Sequence, residues 1–351
     1  MSHPEQTGTR RNPPAGASVD ATVIIPTLNG ERYLGRLLDM LEAQEFGGIL
    51  EVLVIDSGST DSTLEIVRSR PWVRLHEIPN SEFGHGTTRN LGARLARGRN
   101  LAYLTQDAIP ATTLWLGAMT APLDPAGLDA VAVMGKQEPR PGCFPLLKYE
   151  IQTVFARFGP DRTTTIYQRG ESEPSATELE MLAFFSDVNS ATRRDFLLNT
   201  IPFRDLAYSE DTAFGRDVIE AGYRKAYAPE GCVEHSNDLT LREYGQRIFD
   251  ETISLRRLGS ATPSFNRLQQ VLRAGYGILR DSVRIVRDPD YGFARSLFWL
   301  IVNPAFHVVK WLNYHRANRT GLDDQRTIDA HSLEYQRLLV ARRDAKNPRS
   351  D

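Results

Sequence analysis

The sequence predicts an α/β fold, in which a mostly parallel sheet carries helices on both faces, followed by a helical C-terminal region. Four apolar runs occur before residue 106, and each is continuous rather than alternating. Continuous runs are typical of parallel strands that are buried on both faces. Segments with helical apolar spacing separate these runs, which gives the strand–helix order of such a sheet. After Leu239 the pattern is helical.

The first half alternates regularly between strands and helices. The helix that begins at Glu31 places four leucines on one face at helical spacing, between Leu34 and Leu41. No Gly-x-Gly-x-x-Gly follows the first strand and no Gly-Lys-Ser/Thr loop occurs, which argues against a dinucleotide enzyme and a P-loop ATPase. The predicted strands are residues 22–26, 51–55, 72–78 and 100–105, and the helices between them begin at Glu31, near Ser62 and at Arg89.

The remaining elements are predicted from shorter patterns. Residues 163–175 are polar, which is typical of a mobile segment over a site. Residues 184–191 resemble an edge strand that leads into a short helix at Arg193. The other predicted strands are residues 130–134, 224–228 and 232–235, and the other predicted helices are residues 212–221, 241–258, 265–286, 293–316 and 327–343.

Three regions follow from these patterns. Residues 1–19 are rich in Gly, Pro, Ser and Thr and are expected to be a disordered tail. Residues 20–240 form the predicted α/β domain, and residues 241–351 the helical region. The hydrophobic fraction of 41% and the charged fraction of 25% are ordinary for a soluble globular protein. The net charge of −2 argues against a nucleic-acid partner.

Charge is distributed unevenly along the chain. From Arg256 onward there are 17 Lys and Arg against 9 Asp and Glu, so this part carries +8 and the remainder −10. In residues 268–287, leucines and valines share one helical stripe and arginines lie beside it. This pattern is typical of a helix in a membrane interface, and packing against the α/β domain or in a homodimer is the alternative. The two cysteines and the lack of an apolar signal segment favour a cytoplasmic location, peripheral on the inner face of the cell membrane if these helices dock there.

Two aspartates follow strands of the predicted sheet. Asp56 ends the second strand and Asp107 follows the fourth. Ligands bind at the carboxyl ends of strands in open α/β sheets, and a carboxylate there can hold a hard divalent cation against a diphosphate. The plainer alternatives are a turn aspartate before Pro110 for Asp107, and an acid near the next helix N-terminus for Asp56.

Several segments resemble family 2 glycosyltransferases of the GT-A fold, the nucleotide-diphospho-sugar transferase fold. The resemblance covers about residues 21–238 and is carried by 22–30 (TVIIPTLNG), 54–63 (VIDSGSTDST) and 86–92 (GTTRNLG). Residues 83–90 (FGHGTTRN) together with 104–108 (LTQDA) resemble the bacterial rhamnosyltransferase subgroup.

The resemblance implies a donor site with a divalent ion, Mg²⁺ or Mn²⁺. Asp56 would hydrogen-bond the pyrimidine, Arg89 would pair with the diphosphate or brace Asp107, and Asp107 would coordinate the ion. The family motif is Asp-x-Asp, but Thr105 stands at its first aspartate, so Asp107 is the one strong ligand here. The implied donor-binding residues are Pro26, Leu28, Glu31, Asp56, Arg89, Gln106 and Asp107.

The resemblance also implies the catalytic group. Glu210-Asp211 looks like the family's Glu-Asp pair at the start of a helix, with Asp211 as the general base that takes the acceptor proton. An ordinary helix N-terminus capped by Ser209 is the alternative. A second metal ligand, His235, and contacts from Asp187, Asn189 and Glu210 to donor or acceptor hydroxyls are also implied; a structural role is the alternative for His235.

The sequence therefore predicts an inverting glycosyltransferase. The expected donor is a nucleotide sugar, dTDP-L-rhamnose, and the expected acceptor is a cell-surface polysaccharide or a lipid-linked glycan. A different class of protein remains open, namely a non-catalytic sugar-nucleotide-binding partner in a polysaccharide assembly complex. The departure from Asp-x-Asp favours this second class, and the Glu210-Asp211 pair favours the enzyme.

Overall fold

The computed structural model describes residues 10–11, 18–206, 208–259, 262–337 and 339. The chain divides into two compact units, Met1–Glu138 with Phe155–His235, and Pro139–Val154 with Ser236–Asp351. The second unit thus includes residues 139–154, which the sequence pattern had assigned to the α/β domain. Most of the predicted disordered tail lies outside the described residues; within it, Arg10–Arg11 pairs as a short strand and Val19 begins a longer one.

The described residues of the first unit contain one mixed sheet of ten strands. The path through the sheet is β1-β3-β2-β5-β9-β7-β10-β6, with β4 paired to β3 and β8 to β10. The strands are β1 Arg10–Arg11, β2 Val19–Thr27, β3 Ile49–Asp56, β4 Val73–Glu77, β5 Gly98–Leu104, β6 Ile109–Pro110, β7 Ala132–Glu138, β8 Thr165–Tyr167, β9 Asn189–Arg193 and β10 Lys225–Glu234.

The helices of the first unit connect these strands, and those of the second unit follow His235 with one exception. That exception is α5, which lies almost entirely in residues 139–154. The helices are α1 Glu31–Glu42, α2 Thr63–Arg68, α3 His85–Leu95, α4 Trp115–Thr120, α5 Pro145–Phe155, α6 Ala176–Ala183, α7 Arg194–Asn199, α8 Glu210–Glu220, α9 Leu241–Arg257, α10 Arg267–Arg287, α11 Phe293–Arg319 and α12 Gln325–His331, with 3-10 turns at Asn80–Glu82 and Ala121–Leu123.

Strand direction brings several strand ends to one edge of the sheet. Strands β4, β3, β2 and β5 are parallel, as predicted, and β7 and β10 are parallel to each other. Strand β9 lies antiparallel between β5 and β7, so the prediction of an edge strand was wrong. The carboxyl ends of β2, β3, β5, β7 and β10 therefore share an edge with the amino end of β9.

The core of the first unit explains the strand and helix patterns. The four leucines of α1 are fully buried against the sheet, which confirms the predicted apolar face. Helix α3 approaches the sheet closely at Gly92, where an added Cβ would lie 2.6 Å from Ile24 Cγ2 and 3.1 Å from Ile55 Cδ1. Only glycine fits that contact without a shift of the helix.

The second unit is built from long helices with aromatic contacts. Phe144 stacks on Phe306 with ring centroids 4.3 Å apart, and Tyr244 packs edge-on against Phe144. Helix α9 begins with a capping box between Thr240 and Glu243. The predicted helix 327–343 is interrupted at Ser332: α12 ends at His331, residues 333–337 are again helical, and residues 338 and 340–343 lie outside the described part. Among the described residues, no helix is both long and apolar enough to cross a membrane.

Candidate active site

Three of the predicted donor-binding residues lie where β2 passes into α1. Pro26 and Leu28 are half-buried, and Glu31 is exposed at the first position of α1. This loop is fastened to the loop after β3, because Asn29 Oδ1 accepts a hydrogen bond of 2.8 Å from Thr60 N. Asn29 itself has a left-handed backbone, with φ 51°. The two loops form one fixed wall at the shared edge of the sheet.

Asp56 shapes this wall from within. Its side chain is 1% exposed, and its Oδ2 accepts a hydrogen bond from Thr27 Oγ1 at 2.9 Å. Its Oδ1 accepts from the backbone N–H groups of Gly58 and Ser59, at 3.0 and 2.8 Å. Both carboxylate oxygens are thus used, Oδ1 by the turn that follows β3 and Oδ2 by Thr27 at the end of β2. The expected contact between Asp56 and the pyrimidine stays a prediction.

Gln106 braces the same wall from the end of β5. Its Nε2 donates to Leu28 O at 3.0 Å, and Leu28 N donates to its Oε1 at 2.8 Å. An added Cβ at Gly30 would lie 2.7 Å from Gln106 Oε1, so the loop and this amide fit closely together. The structure gives Gln106 a supporting role, and its direct contact with the donor stays a prediction.

The two predicted metal ligands lie side by side. His235 Nε2 is 3.4 Å from Asp107 Oδ2, although the two residues follow different strands. The other ring nitrogen, Nδ1, is 3.2 Å from Gln137 Oε1, at the end of β7. Gln137 in turn donates to Ser186 Oγ at 3.0 Å. Gln137 lies in β7, and nothing in the sequence indicates its contact with His235.

This pair fits a divalent cation that takes its other ligands from phosphate. Within the described residues, no group of three or more His, Cys, Asp and Glu could hold a metal ion by itself. Asp107 is 24% exposed at its side chain, and the His235 side chain is 6% exposed. Mg²⁺ usually takes one or two carboxylates with substrate phosphates, and imidazole suits softer divalent metals. The donor set is therefore adequate only when a diphosphate completes it.

A buried ion-pair cluster lies at the amino end of β9. Arg89 is 5% exposed; its Nη1 lies 3.0 Å from Glu210 Oε1 and its Nε lies 3.4 Å from Asp187 Oδ2. Tyr103 Oη donates to Arg89 O at 3.2 Å. Arg89 was expected to bind the diphosphate or to brace Asp107, and the structure gives it Asp187 and Glu210 as partners instead. Arg89 pairs with two buried acids, whose charges would be costly to bury without a cation beside them.

Asp211 stands next to this cluster at the start of α8. Its Oδ1 accepts from Thr212 N at 2.7 Å and its Oδ2 from Asp187 N at 3.3 Å. Burial, Glu210 and Asp187 together raise the pKa of Asp211 to about 7. Burial also raises the pKa of Asp187 to about 6, although Arg89 acts in the opposite direction. A carboxylate that titrates near neutral pH has the proton affinity that a general base needs.

The geometry of Ser209 argues against the alternative that Glu210 and Asp211 belong to an ordinary helix N-terminus capped by Ser209. Ser209, which was considered as an N-cap, has φ 63° and its side chain makes no capping hydrogen bond. The two acids therefore do not belong to an ordinary capped N-terminus. A left-handed non-glycine residue beside a buried acid is the kind of strain that occurs at functional sites.

Asn189 has a structural role between strands. Its side chain is fully buried, and its Oδ1 accepts from Trp115 Nε1 at 3.0 Å. Its Nδ2 donates to the backbone oxygens of Lys136 and Gly231, at 3.1 and 2.7 Å. These bonds join α4, β7 and β10 to β9. The expected contact of Asn189 with a sugar hydroxyl stays a prediction.

Comparison with known proteins gives the same family as the motifs. The family model described as "Glycosyl transferase family 2" matches residues 22–197. The O-antigen chain rhamnosyltransferase RfbN of Salmonella typhimurium is 31% identical over 233 residues, which are 65% of this chain and 70% of that protein. The O-antigen chain rhamnosyltransferase WbaN of Salmonella anatum is also 31% identical, over 234 residues, with the same coverage of both chains.

A solved structure supports the fold. The mannosyltransferase PcManGT from Pyrobaculum calidifontis, in complex with GDP-Man and Mn²⁺, aligns with a TM-score of 0.51 at 18% identity and covers 97% of this chain and 90% of its own. The predicted GT-A arrangement, with a helical C-terminal region, is confirmed. With its motifs, sheet and relatives in agreement, the chain belongs to glycosyl transferase family 2 and is a glycosyltransferase of the bacterial rhamnosyltransferase-like group.

Proposed function

We propose that the protein transfers L-rhamnose from dTDP-L-rhamnose, with inversion, to a cell-surface polysaccharide or a lipid-linked glycan. The names of the two Salmonella relatives support the sugar. The observation that supports catalysis is Asp211, whose pKa is raised to about 7 by burial and by neighbouring acids. A partner that only bound the nucleotide sugar would need no such base. The proposed location is the cytoplasm, peripheral on the inner face of the cell membrane, and a homodimer stays a prediction.

In this proposal Asp211 removes the proton from the acceptor hydroxyl as its oxygen attacks the anomeric carbon. The bond between that carbon and the diphosphate breaks, and dTDP leaves with its electron pair. Glu210 and Asp187 keep the proton affinity of Asp211 high, while Arg89 compensates part of their charge. The wall formed by the loops after β2 and β3 holds the nucleotide, and Pro26, Leu28 and Glu31 are the proposed contacts.

Asp107 and His235 are the proposed ligands of Mg²⁺ or Mn²⁺. A bound cation of this kind neutralises the charge that develops on the departing diphosphate. The Pyrobaculum mannosyltransferase was solved with Mn²⁺, which supports the choice of ion. In this chain, Gln137 contacts Nδ1 of His235, so that Nε2 faces the Asp107 carboxylate. Metal-binding histidines are commonly oriented by a hydrogen bond at the ring nitrogen that does not bind the metal.

Gln137→Ala is expected to raise the Mn²⁺ concentration that gives half-maximal turnover by about 10–100-fold, without loss of the fold. The reason is that His235 loses the partner that fixes its ring orientation. Turnover is measured against Mn²⁺ concentration at saturating donor. Gln168→Ala, which removes an exposed amide bonded to Gly222 O, is the control and should leave the midpoint unchanged. An unchanged midpoint in Gln137→Ala contradicts the supporting role.

The donor is tested with a panel of nucleotide sugars. A donor that binds only the folded protein raises its apparent stability by mass action, so dTDP-L-rhamnose should give the largest thermal shift, and dTDP should be released when a glycan acceptor is added. UDP-glucose and GDP-mannose serve as controls of the same charge. A larger shift with another nucleotide sugar overturns the donor. Shifts without release, across acceptor extracts, would instead favour the non-catalytic binding partner.

A further inference from the structure

Helix α10 is packed with its polar side inward. Asp281 is fully buried, and His307 Nε2 of α11 lies 2.9 Å from its Oδ2. Gln270 of α10 is also buried, and its Nε2 lies 2.8 Å from Nδ1 of His315 in α11. Between them, Gly277 lets His307 approach so closely that an added Cβ would lie 2.6 Å from its ring. Polar and small residues therefore make much of the contact of α10 with α11, and Ile285, near the end of α10, adds a buried apolar contact beside Trp299 and Leu300.

The opposite side of α10 is apolar and exposed. Amphipathic helices of globular proteins normally turn their apolar stripe toward the core, and here it faces outward along the whole helix. The exposed apolar side of α11 carries further large side chains. We define the apolar surface by six side chains, which are 62–89% exposed: Leu268, Leu272, Leu279 and Val286 of α10 and Phe293 and Ile301 of α11.

The flanks of this apolar surface are basic. Helix α10 contains five arginines and one acid, Asp281, which is buried, and α11 contains four Lys and Arg and no acid. By helical spacing Arg280, Arg284 and Arg287 lie beside the apolar stripe of α10. Lys310 pairs with Glu150 and Arg280 with Asp281, and a second copy of the chain would set the remaining arginines of α10 and α11 against each other. The charge therefore favours an anionic partner over self-association.

We propose that the apolar surface docks on a membrane that contains anionic lipids, with α10 and α11 lying in the interface. Apolar side chains would enter the boundary between headgroups and acyl chains, while the arginines remain at the phosphates. An exposed apolar stripe without such cover is unusual for a soluble protein. Each cation near an anionic leaflet strengthens binding by about fivefold. The inference rests on the peripheral location in the proposed function and names the surface for it. Docking itself needs neither donor nor transfer, so its test does not depend on the proposed reaction.

Vesicle sedimentation with the full-length protein tests the docking surface. The wild type should sediment with vesicles of phosphatidylglycerol and phosphatidylcholine at low salt, bind them more weakly at high salt, and remain in solution with phosphatidylcholine alone. Arg284→Glu/Arg287→Glu/Arg295→Glu should bind at least about 100-fold more weakly. Arg280 is left unchanged because its Nε lies 3.1 Å from Asp281 Oδ1, and its reversal would disturb the buried pair.

Two further variants separate charge from apolar contact. Arg94→Glu/Arg157→Glu/Arg162→Glu changes the net charge equally at exposed positions in the first unit and should bind like the wild type. Leu272→Gln/Leu279→Gln/Ile301→Gln should lose binding at low salt yet unfold at the wild-type temperature, since these side chains are already exposed. Absence of wild-type sedimentation at low salt overturns the proposal. The proposal is also overturned if the wild type does not bind vesicles and is instead a dimer, which the glutamine substitutions convert to a monomer.

Discussion

Asp211→Asn is expected to lower the turnover number by roughly 10²–10⁴-fold, the usual effect of losing a general base. The substitution removes the group that accepts the acceptor proton but keeps the size of the side chain. The hydrogen bond from Thr212 N can be kept by the amide oxygen. Affinity for the nucleotide sugar should therefore change little. Initial rates and donor affinity, measured separately on the purified variant, check both halves of this expectation.

Asp217→Asn is a matched control on the same helix. Asp217 pairs with Arg204 at the surface, away from Asp187 and Glu210, so its amide should leave turnover near the wild-type value. If Asp211→Asn also turns over within a factor of a few of the wild type, Asp211 is not the base. A loss of donor affinity equal to the loss of rate would indicate that the residue serves binding.

The pH dependence follows from the direction of the shift. Burial and two neighbouring acids raise the pKa of Asp211 to about 7, and a base acts only in its deprotonated form. The rate should therefore rise as pH increases through about 7 and level off above it, whereas an ordinary aspartate would be fully active from about pH 5. Asp211→Asn should lose this rise. The same raised pKa means that the native state binds the proton more tightly, so this group's contribution to stability falls as pH increases toward 7.

The strands were predictable where burial is purely apolar. Strands β2, β3 and β5 each contain a run of four apolar residues, at 23–26, 52–55 and 101–104, so their assignment as buried strands follows from the sequence. Strand β9 (NSATR) is just as buried, but its polar groups are satisfied by distant partners such as Trp115 for Asn189 and Val131 O for Thr192. A local pattern shows polarity and does not show those partners, which is why an edge position was predicted.

The residues of the candidate site likewise divide into those that the sequence predicted and those whose contacts it did not indicate. Asp107 and His235 were predicted by family motif, and strand direction explains why they meet. Gln137 has no local signal, because its role depends on contacts with His235 and Ser186. The partners of Arg89 were likewise missed, since charge complementarity with Glu210 arises across 121 positions of sequence. Helical periodicity predicted two faces for α10, but not that its polar face is the buried one.

Asp107→Ala is expected to remove the metal requirement together with most of the activity, a loss on the order of 10²–10³-fold, typical of removing one group that stabilises charge in the transition state. In the proposed metal site Asp107 is the carboxylate of a two-residue donor set, and His235 alone would be a weak site for Mg²⁺. Wild-type activity should disappear in excess EDTA and return on addition of Mn²⁺ or Mg²⁺. The residual activity of Asp107→Ala should be the same with EDTA and with either metal.

Asp124→Ala is the control for this substitution, because Asp124 is an exposed acid whose carboxylate accepts from Ala126 N in its own turn. It should keep both the wild-type rate and the wild-type response to EDTA. Binding of Mn²⁺ measured by calorimetry in the presence of dTDP gives a readout that does not depend on turnover. It should be strong for the wild type and for Asp124→Ala, and at least about tenfold weaker for Asp107→Ala, since only one protein ligand remains. Full wild-type turnover in excess EDTA would remove the metal role from Asp107, and equal Mn²⁺ binding by Asp107→Ala would place the ion elsewhere.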